Sequence, residues 1–138
     1  MVGPLPFCDS KPFVLCAGQS IEVPPSCTEL HHEVELGVVI GKGGRDISAD
    51  VAMQHVSGYV LALDMTARSL QNEAKKAGLP WSAAKGYDTF CPVSSFIEKS
   101  KIDNPQNVNL WLKVNGQTKQ DGNTTDMIFT YRLDLDLF

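Results

Sequence analysis

A chain of 138 residues, 43% hydrophobic and 20% charged, can bury one modest core and reads as a single soluble intracellular domain over residues 1–138. Its net charge of -4, from 16 acidic against 12 basic residues, comes with no cluster of Lys and Arg interleaved with aromatics, which excludes nucleic acid as an expected partner. No apolar run approaches the roughly 20 residues that cross a bilayer, and the opening Met-Val-Gly-Pro-Leu-Pro-Phe has neither the basic start and apolar stretch of a secretory signal nor the Arg-rich character of a transit peptide, so no membrane partner is expected either.

Residues 1–29 hold Pro4, Pro6, Pro12, Pro24 and Pro25 and show no sustained period, which predicts an irregular segment of loops and short extended pieces. The four cysteines, Cys8, Cys16, Cys27 and Cys91, contain no Cys-x-x-Cys pair and are expected as free thiols in a reducing compartment. Residues 30–40 read as one strand. Side chains alternate across a strand, so Glu33 and Glu35 share one face while Val34, Leu36 and Val38 turn to the core.

Gly41-Lys42-Gly43-Gly44 makes a turn, Ser48 is placed to cap a short helix through Ala52 and His55, and Gly58 leads into a second strand, 59–63, with Asp64 at its carboxyl end. Residues 66–77 are expected as an amphipathic helix. Thr66 is its cap, Ala67, Leu70 and Ala74 its apolar stripe, and Gly78 with Pro80 its stop. Residues 108–114 alternate apolar with polar side chains, and Asn115-Gly116 is the preferred pair for a two-residue hairpin turn, with 117–120 pairing back. Residues 126–129 resemble a helix entry, and Leu133, Leu135 and Leu137 alternate with Asp134 and Asp136 in a tail that is either a strand or a frayed end. Strands mixed with short helices, without a regular β-α rhythm, define an α+β, strand-dominated class.

The chemistry concentrates in Glu33, Glu35 and Asp64. Three carboxylates drawn together resist ionising unless a cation sits among them. Oxygen ligands without thiolates or a fixed histidine pair favour Mg2+ or Mn2+ over zinc. On spacing alone the same residues also serve as the wet face of an exposed strand and a helix cap, and His31 and His32 as hydrogen-bonded structural residues.

Three rival motifs fall away. The His-x-Glu of zinc deaminases is echoed by His31-His32-Glu33, but their Pro-Cys-x-x-Cys is absent. Gly41-Lys42-Gly43-Gly44 lacks the Gly-Lys-Ser/Thr ending of a phosphate loop. Asn123-Thr124-Thr125 reads as turn and cap chemistry rather than a glycosylation acceptor.

Leu30-His31-His32-Glu33-Val34-Glu35-Leu36-Gly37, Ala62-Leu63-Asp64-Met65-Thr66-Ala67-Arg68 and Gly78-Leu79-Pro80-Trp81-Ser82-Ala83-Ala84-Lys85 together resemble the fumarylacetoacetate hydrolase superfamily, and within it the eukaryotic domain-containing acylpyruvases. The similarity continues through Phe90-Cys91-Pro92-Val93-Ser94 and Leu110-Trp111-Leu112-Lys113-Val114-Asn115-Gly116 to about Phe129. The resemblance implies an incomplete mixed β-roll of the fumarylacetoacetate hydrolase C-terminal-domain type. It implies that Glu33, Glu35 and Asp64 hold Mg2+ or Mn2+, that Lys85 is the active-site lysine, and that Arg68 and Gln71 shape the substrate pocket. The implied reactions are hydrolysis of acylpyruvates and decarboxylation or keto-enol interconversion of oxaloacetate. A homodimer and a mitochondrial location, with the cytoplasm as alternative, are implied in the same way.

The pattern departs from the family at both ends. Residues 1–10 do not match the lid that carries a His and a Glu, and residues 130–138 diverge where the family continues into further strands. These departures imply a shortened chain in which hydrolysis, which needs activated water, suffers more than enolisation or decarboxylation. The alternative they leave open is a non-catalytic form that binds metal or a full-length partner subunit.

Overall fold

The computed structural model describes residues 14–131. Among these the strands are β1 (Val14–Cys16), β2 (Leu30–His31), β3 (Val34–Ile40), β4 (Val56–Leu63) and β5 (Thr66–Ala67), and after the helices α1 (Arg68–Ala77) and α2 (Ser82–Lys85) come β6 (Cys91–Val93), β7 (Ile97–Glu98), β8 (Asn109–Val114) and β9 (Gln117–Asn123). The architecture is strand-dominated α+β, as the sequence pattern predicts. No helix among the described residues is long and apolar enough to cross a membrane.

The described residues form two compact units, one built from residues 14–35 with Leu61–Ser95 and the other from Leu36–Val60 with residues 96–131. In the first, β1 runs parallel to β6, and β6 pairs antiparallel with the end of β4 through Ala62 and Val93. Its core is Met65, Ala67 and Phe90, with Ile21, Cys27, Leu30, Leu63, Leu70 and Tyr87 packed around them. Segments 29–33 and 64–68 are stitched antiparallel. The amide of Arg68 donates to the Glu29 carbonyl at 2.8 Å, Leu30 and His31 pair with Ala67 and Thr66, and the amide of Asp64 donates to the Glu33 carbonyl at 2.8 Å.

In the second unit, β4 pairs antiparallel with β7 through Gly58↔Glu98 and Tyr59↔Ile97. Gly58 is required there, because a Cβ would stand 2.4 Å from the Ile97 carbonyl oxygen. The β8–β9 hairpin turns on Asn115 (φ 50°) and Gly116 (φ 79°), both left-handed as a type I′ turn demands.

Several local expectations are corrected. The strand predicted over 30–40 breaks at His32-Glu33 into β2 and β3, because residues 30–31 pair with β5. The second strand begins at Val56, so Gly58 lies inside it. The helix predicted from Thr66 starts at Arg68, since Thr66 and Ala67 are held as β5, and the Thr66 hydroxyl donates to the Asp64 carbonyl instead of capping. Its end is as read: Gly78 is left-handed (φ 65°), with Lys75 and Lys76 in the last turn, where cations favour the helix dipole.

The Ser48 hydroxyl donates to Asp50, and the helix expected after it reduces to a 3-10 turn, Ala52–Gln54, without a side-chain cap. The predicted helix entry at 126–129 gives way to a 3-10 turn starting two residues earlier, Thr124–Asp126, capped by the Asn123 side chain accepting from the Thr125 amide. Cys16 is disulfide-bonded, which corrects the expectation of four free thiols; Cys27 and Cys91 are free. The tail alternation at 133–137 lies outside the described residues.

Candidate metal centre

The two strand-end segments deliver the three acids. Glu33 precedes β3, Glu35 is its second residue, and Asp64 follows β4 directly. The Asp64–Glu33 backbone bond fixes two of these positions before any side-chain interaction is counted. One oxygen from each of Glu33, Glu35 and Asp64 can be chosen so that all lie within 4.8 Å of one another. Ligands of a single ion lie no farther apart than twice the ion–oxygen distance, about 4.2 Å for Mg2+ and about 5 Å for Ca2+. The donor set is all oxygen, and the three carboxylates are close enough to close in on one hard divalent ion.

Two cations border the acids. Lys85, at the end of the one-turn helix α2, donates from Nζ to Glu33 Oε2 at 2.8 Å and to Asp64 Oδ2 at 2.5 Å. Arg68, the first residue of α1, donates from Nη2 to Glu33 Oε1 at 2.8 Å, from Nη1 to Gln71 Oε1 at 2.5 Å and from Nε to His31 Nδ1 at 3.2 Å. Gln71 is 2% exposed. Its carbonyl oxygen therefore meets the requirement that a buried polar atom be paired.

The electrostatics divide the acids. Partial burial works to raise Glu33, but hydrogen bonds and charges from Lys85, then Arg68, outweigh it and hold the carboxyl below its ordinary range. Glu35 is pushed up by partial burial of its carboxylate and by the charges of Asp64 and Glu33, with only partial relief from Lys85. Burial acts to lower Lys85, and the contacts to Asp64 and Glu33 overcome it, so the ammonium is held above its ordinary value. The site thus contains one carboxylate, Glu35, short of positive charge.

The structure brings together all six residues singled out in the sequence: Glu33, Glu35, Asp64, Lys85, Arg68 and Gln71. Sequence reasoning read His31 as a hydrogen-bonded structural residue, which it is, and missed its partner Glu29; the two side chains meet at 2.8 Å between Nε2 and Oε1. A signal was present, because residues 29, 31, 33 and 35 form an unbroken polar series at every second position. Cys91 was also passed over. Burial and the charges of Asp64 and Glu35 push its thiol up, which keeps it protonated and unreactive.

Three convergent carboxylates flanked by a lysine and an arginine, on a strand-dominated α+β frame, define a candidate carboxylate metal centre. Comparison with known proteins gives it a family. The fumarylacetoacetate hydrolase C-terminal profile matches residues 3–133, and the chain belongs to that family. It is 56% identical over 127 residues to the mitochondrial oxaloacetate decarboxylase of Dictyostelium discoideum, covering 90% of this chain and 58% of that protein. It is 52% identical over 113 residues to the human mitochondrial oxaloacetate tautomerase FAHD1, covering 82% of this chain and 51% of that one. The chain thus spans little more than half the length of these relatives. Among solved structures, the fumarylpyruvate hydrolase of Pseudomonas aeruginosa in complex with Mn2+ and pyruvate superposes with a TM-score of 0.83 at 32% identity, over 91% of this chain and 56% of that one.

Proposed function

We propose that this chain carries the metal and substrate site of an enzyme acting on small 2-oxo acids, with Mg2+ or Mn2+ held by Glu33, Glu35 and Asp64. The reactions proposed are tautomerisation or decarboxylation of oxaloacetate and hydrolysis of acylpyruvates. A mitochondrial location follows the names of the curated relatives. The observation that carries the reading is the convergence of three acids from two segments beside Lys85 and Arg68. Support for the ion and ligand class comes from the Mn2+ and pyruvate bound by the Pseudomonas enzyme.

When bound, the ion would act as a Lewis acid toward the carboxylate and 2-oxo oxygen of the substrate. The charge count suits that ligand. Three carboxylates against Lys85 and Arg68 leave one negative charge, a divalent ion turns this to one positive, and the carboxylate next to the 2-oxo group neutralises it, so the second carboxylate of oxaloacetate needs a further donor such as Arg68. Lys85 spends two of its three N–H donors on Glu33 and Asp64. The third is available to negative charge that grows on an enolate or a departing carboxylate, and a contact that strengthens in the transition state raises turnover. Arg68 has two N–H groups beyond its three bonds and so can take a substrate carboxylate.

The test is calorimetric titration with Mn2+ and Mg2+, followed by a panel of oxaloacetate, acylpyruvates and fumarylpyruvate. Saturable uptake with turnover of one of them is expected, abolished by Asp64→Ala. Uptake without turnover would leave a metal-binding role alone, and no uptake would remove the reading.

A further inference from the structure

Arginine pairs most strongly with a carboxylate through a two-bond fork, and the Nε edge provides one such fork. Arg68 lies against Glu33 yet does not fork onto it. Nε is taken by His31 Nδ1 at 3.2 Å, Nη1 by Gln71 at 2.5 Å, and Glu33 receives one bond, Nη2 to Oε1 at 2.8 Å. Glu33 Oε2 is thereby left to Lys85, within the acidic trio that would hold the ion.

The bond to Arg68 fixes the state of His31. Arginine Nε can only donate, so His31 Nδ1 must accept, and a neutral imidazole then carries its proton on Nε2. That N–H is 2.8 Å from Glu29 Oε1. Glu29 also accepts the Arg68 amide with its backbone carbonyl at 2.8 Å, so one residue anchors both the start of α1 and the histidine that meets the arginine side chain. The His31–Glu29 pair is 43% and 56% exposed. An exposed pair of this kind adds little stability, and its consequence lies in orientation.

We propose that His31, set in its Nε2–H form by Glu29, is a positioning residue. By occupying Arg68 Nε it blocks the two-bond fork onto Glu33, so that Glu33 Oε2 meets the single ammonium of Lys85 and an incoming ion has only that one contact to displace. The inference rests on the metal reading above and concerns how the chain keeps one of its own ligands out of a two-bond arginine fork. Three side chains then act in sequence, with Glu29 orienting the imidazole, His31 blocking the fork, and Arg68 neutralising Glu33 without capturing it.

The variants follow from atom positions. Asn carries its amide oxygen on Cγ, where histidine carries Nδ1, so His31→Asn retains an acceptor for Arg68 Nε; His31→Leu retains none. In Mn2+ titrations of the purified chain, His31→Leu is expected to weaken binding about tenfold, and His31→Asn to stay within about threefold of the parent. Adding Arg68→Met to His31→Leu is expected to return affinity to that of Arg68→Met alone, because nothing remains to fork onto Glu33. A general structural defect would not be reversed by a second truncation. Equal affinities for His31→Leu and the parent, failure of Asn to substitute, or failure of Arg68→Met to rescue would each overturn the proposal.

A measurement independent of metal is the long-range nitrogen–proton spectrum of the ion-free chain. It is expected to show His31 with Nδ1 bare and Nε2 protonated, and a proton on Nδ1 overturns the proposal. If the parent chain takes up no Mn2+, the functional reading fails, and this spectrum still decides whether His31 accepts from Arg68.

Discussion

The amide of Asp64 donates to the carbonyl of Glu33 at 2.8 Å, so the backbone holds two of the three acidic positions together without their carboxylates. Side-chain changes there should remove metal binding while leaving the segments in place. Asp64→Asn is expected to fold, with a circular dichroism spectrum like that of the parent, and to lose at least about a hundredfold in Mn2+ affinity. At Mn2+ concentrations a hundred times Kd, binding stabilises the parent by about 2.7 kcal/mol, or roughly 10 °C in Tm. Thermal melts with and without Mn2+ check this. A shift of parental size in Asp64→Asn would show that the ion sits elsewhere.

Lys85 neutralises Glu33 and Asp64 from one ammonium group, and this places it in competition with any ion the same oxygens hold. Replacing it with Met removes a cation from the site without adding a ligand. Lys85→Met is therefore expected to bind Mn2+ at least as tightly as the parent while turnover of the best oxo acid falls roughly 10²- to 10³-fold, the range for losing a group that stabilises developing charge. The ion-free variant should lose about 1–2 kcal/mol, because two partly buried acids are left repelling each other. Calorimetry, a kinetic assay and denaturant melts separate the three effects, and weakened Mn2+ binding would contradict the competition.

Much of the site was readable because period-two alternation requires only a strand. Glu33 and Glu35 fall two apart in a Val-rich run, Asp64 closes another run, and Asn115-Gly116 and Gly78 mark their turns by the left-handed conformations they adopt. The break at His32-Glu33 was hidden, because it comes from pairing with β5 more than thirty residues away. Lys85 sits on a four-residue helix, too short to leave a period, so its place beside the acids came from family resemblance and not from pattern. The Glu29–His31–Arg68 chain was written in the same alternation, but that the His31 ring would accept from α1 depended on where α1 begins.

Glu35 carries the clearest pH signature. Its folded pKa lies above the ordinary 4.5, raised by partial burial and by Asp64 and Glu33. Its contribution to stability is therefore present below 4.5 and is lost as pH rises through the raised value. Glu33, held low by Lys85 and Arg68 against the effect of burial, runs the other way. Its contribution is present above 4.5 and is lost as pH falls through its lowered value.

Metal binding needs Glu35 ionised, so Mn2+ affinity should climb as pH rises toward the raised value, with proton release on binding below it. Titrations in buffers of different ionisation enthalpy measure the release. Glu35→Gln is expected to abolish it, to weaken Mn2+ binding by roughly tenfold or more, and to make the ion-free chain more stable above pH 4.5. Undiminished proton release in Glu35→Gln would assign it to another group.

Phe90 couples the core to the site through a single backbone contact. It is fully buried against Met65 and Ala67, its ring lies 5.2 Å from that of Tyr87, and its carbonyl accepts the amide of Met65, the residue after Asp64. Truncation to Ala removes most of the largest apolar side chain in this cluster and leaves a cavity between β5 and the loop before β6, at a cost of about 3–5 kcal/mol. That is a large part of the stability of an ordinary domain. Phe90→Leu keeps more of the volume and should cost only about 1–2 kcal/mol. The expected result is a Leu variant with near-parental Mn2+ affinity and a lower Tm, and an Ala variant that is largely unfolded or binds Mn2+ only after stabilisation by excess ion. Denaturant melts alongside Mn2+ titrations test both. An Ala variant as stable as the parent would mean that the Phe90 ring does not hold this core together.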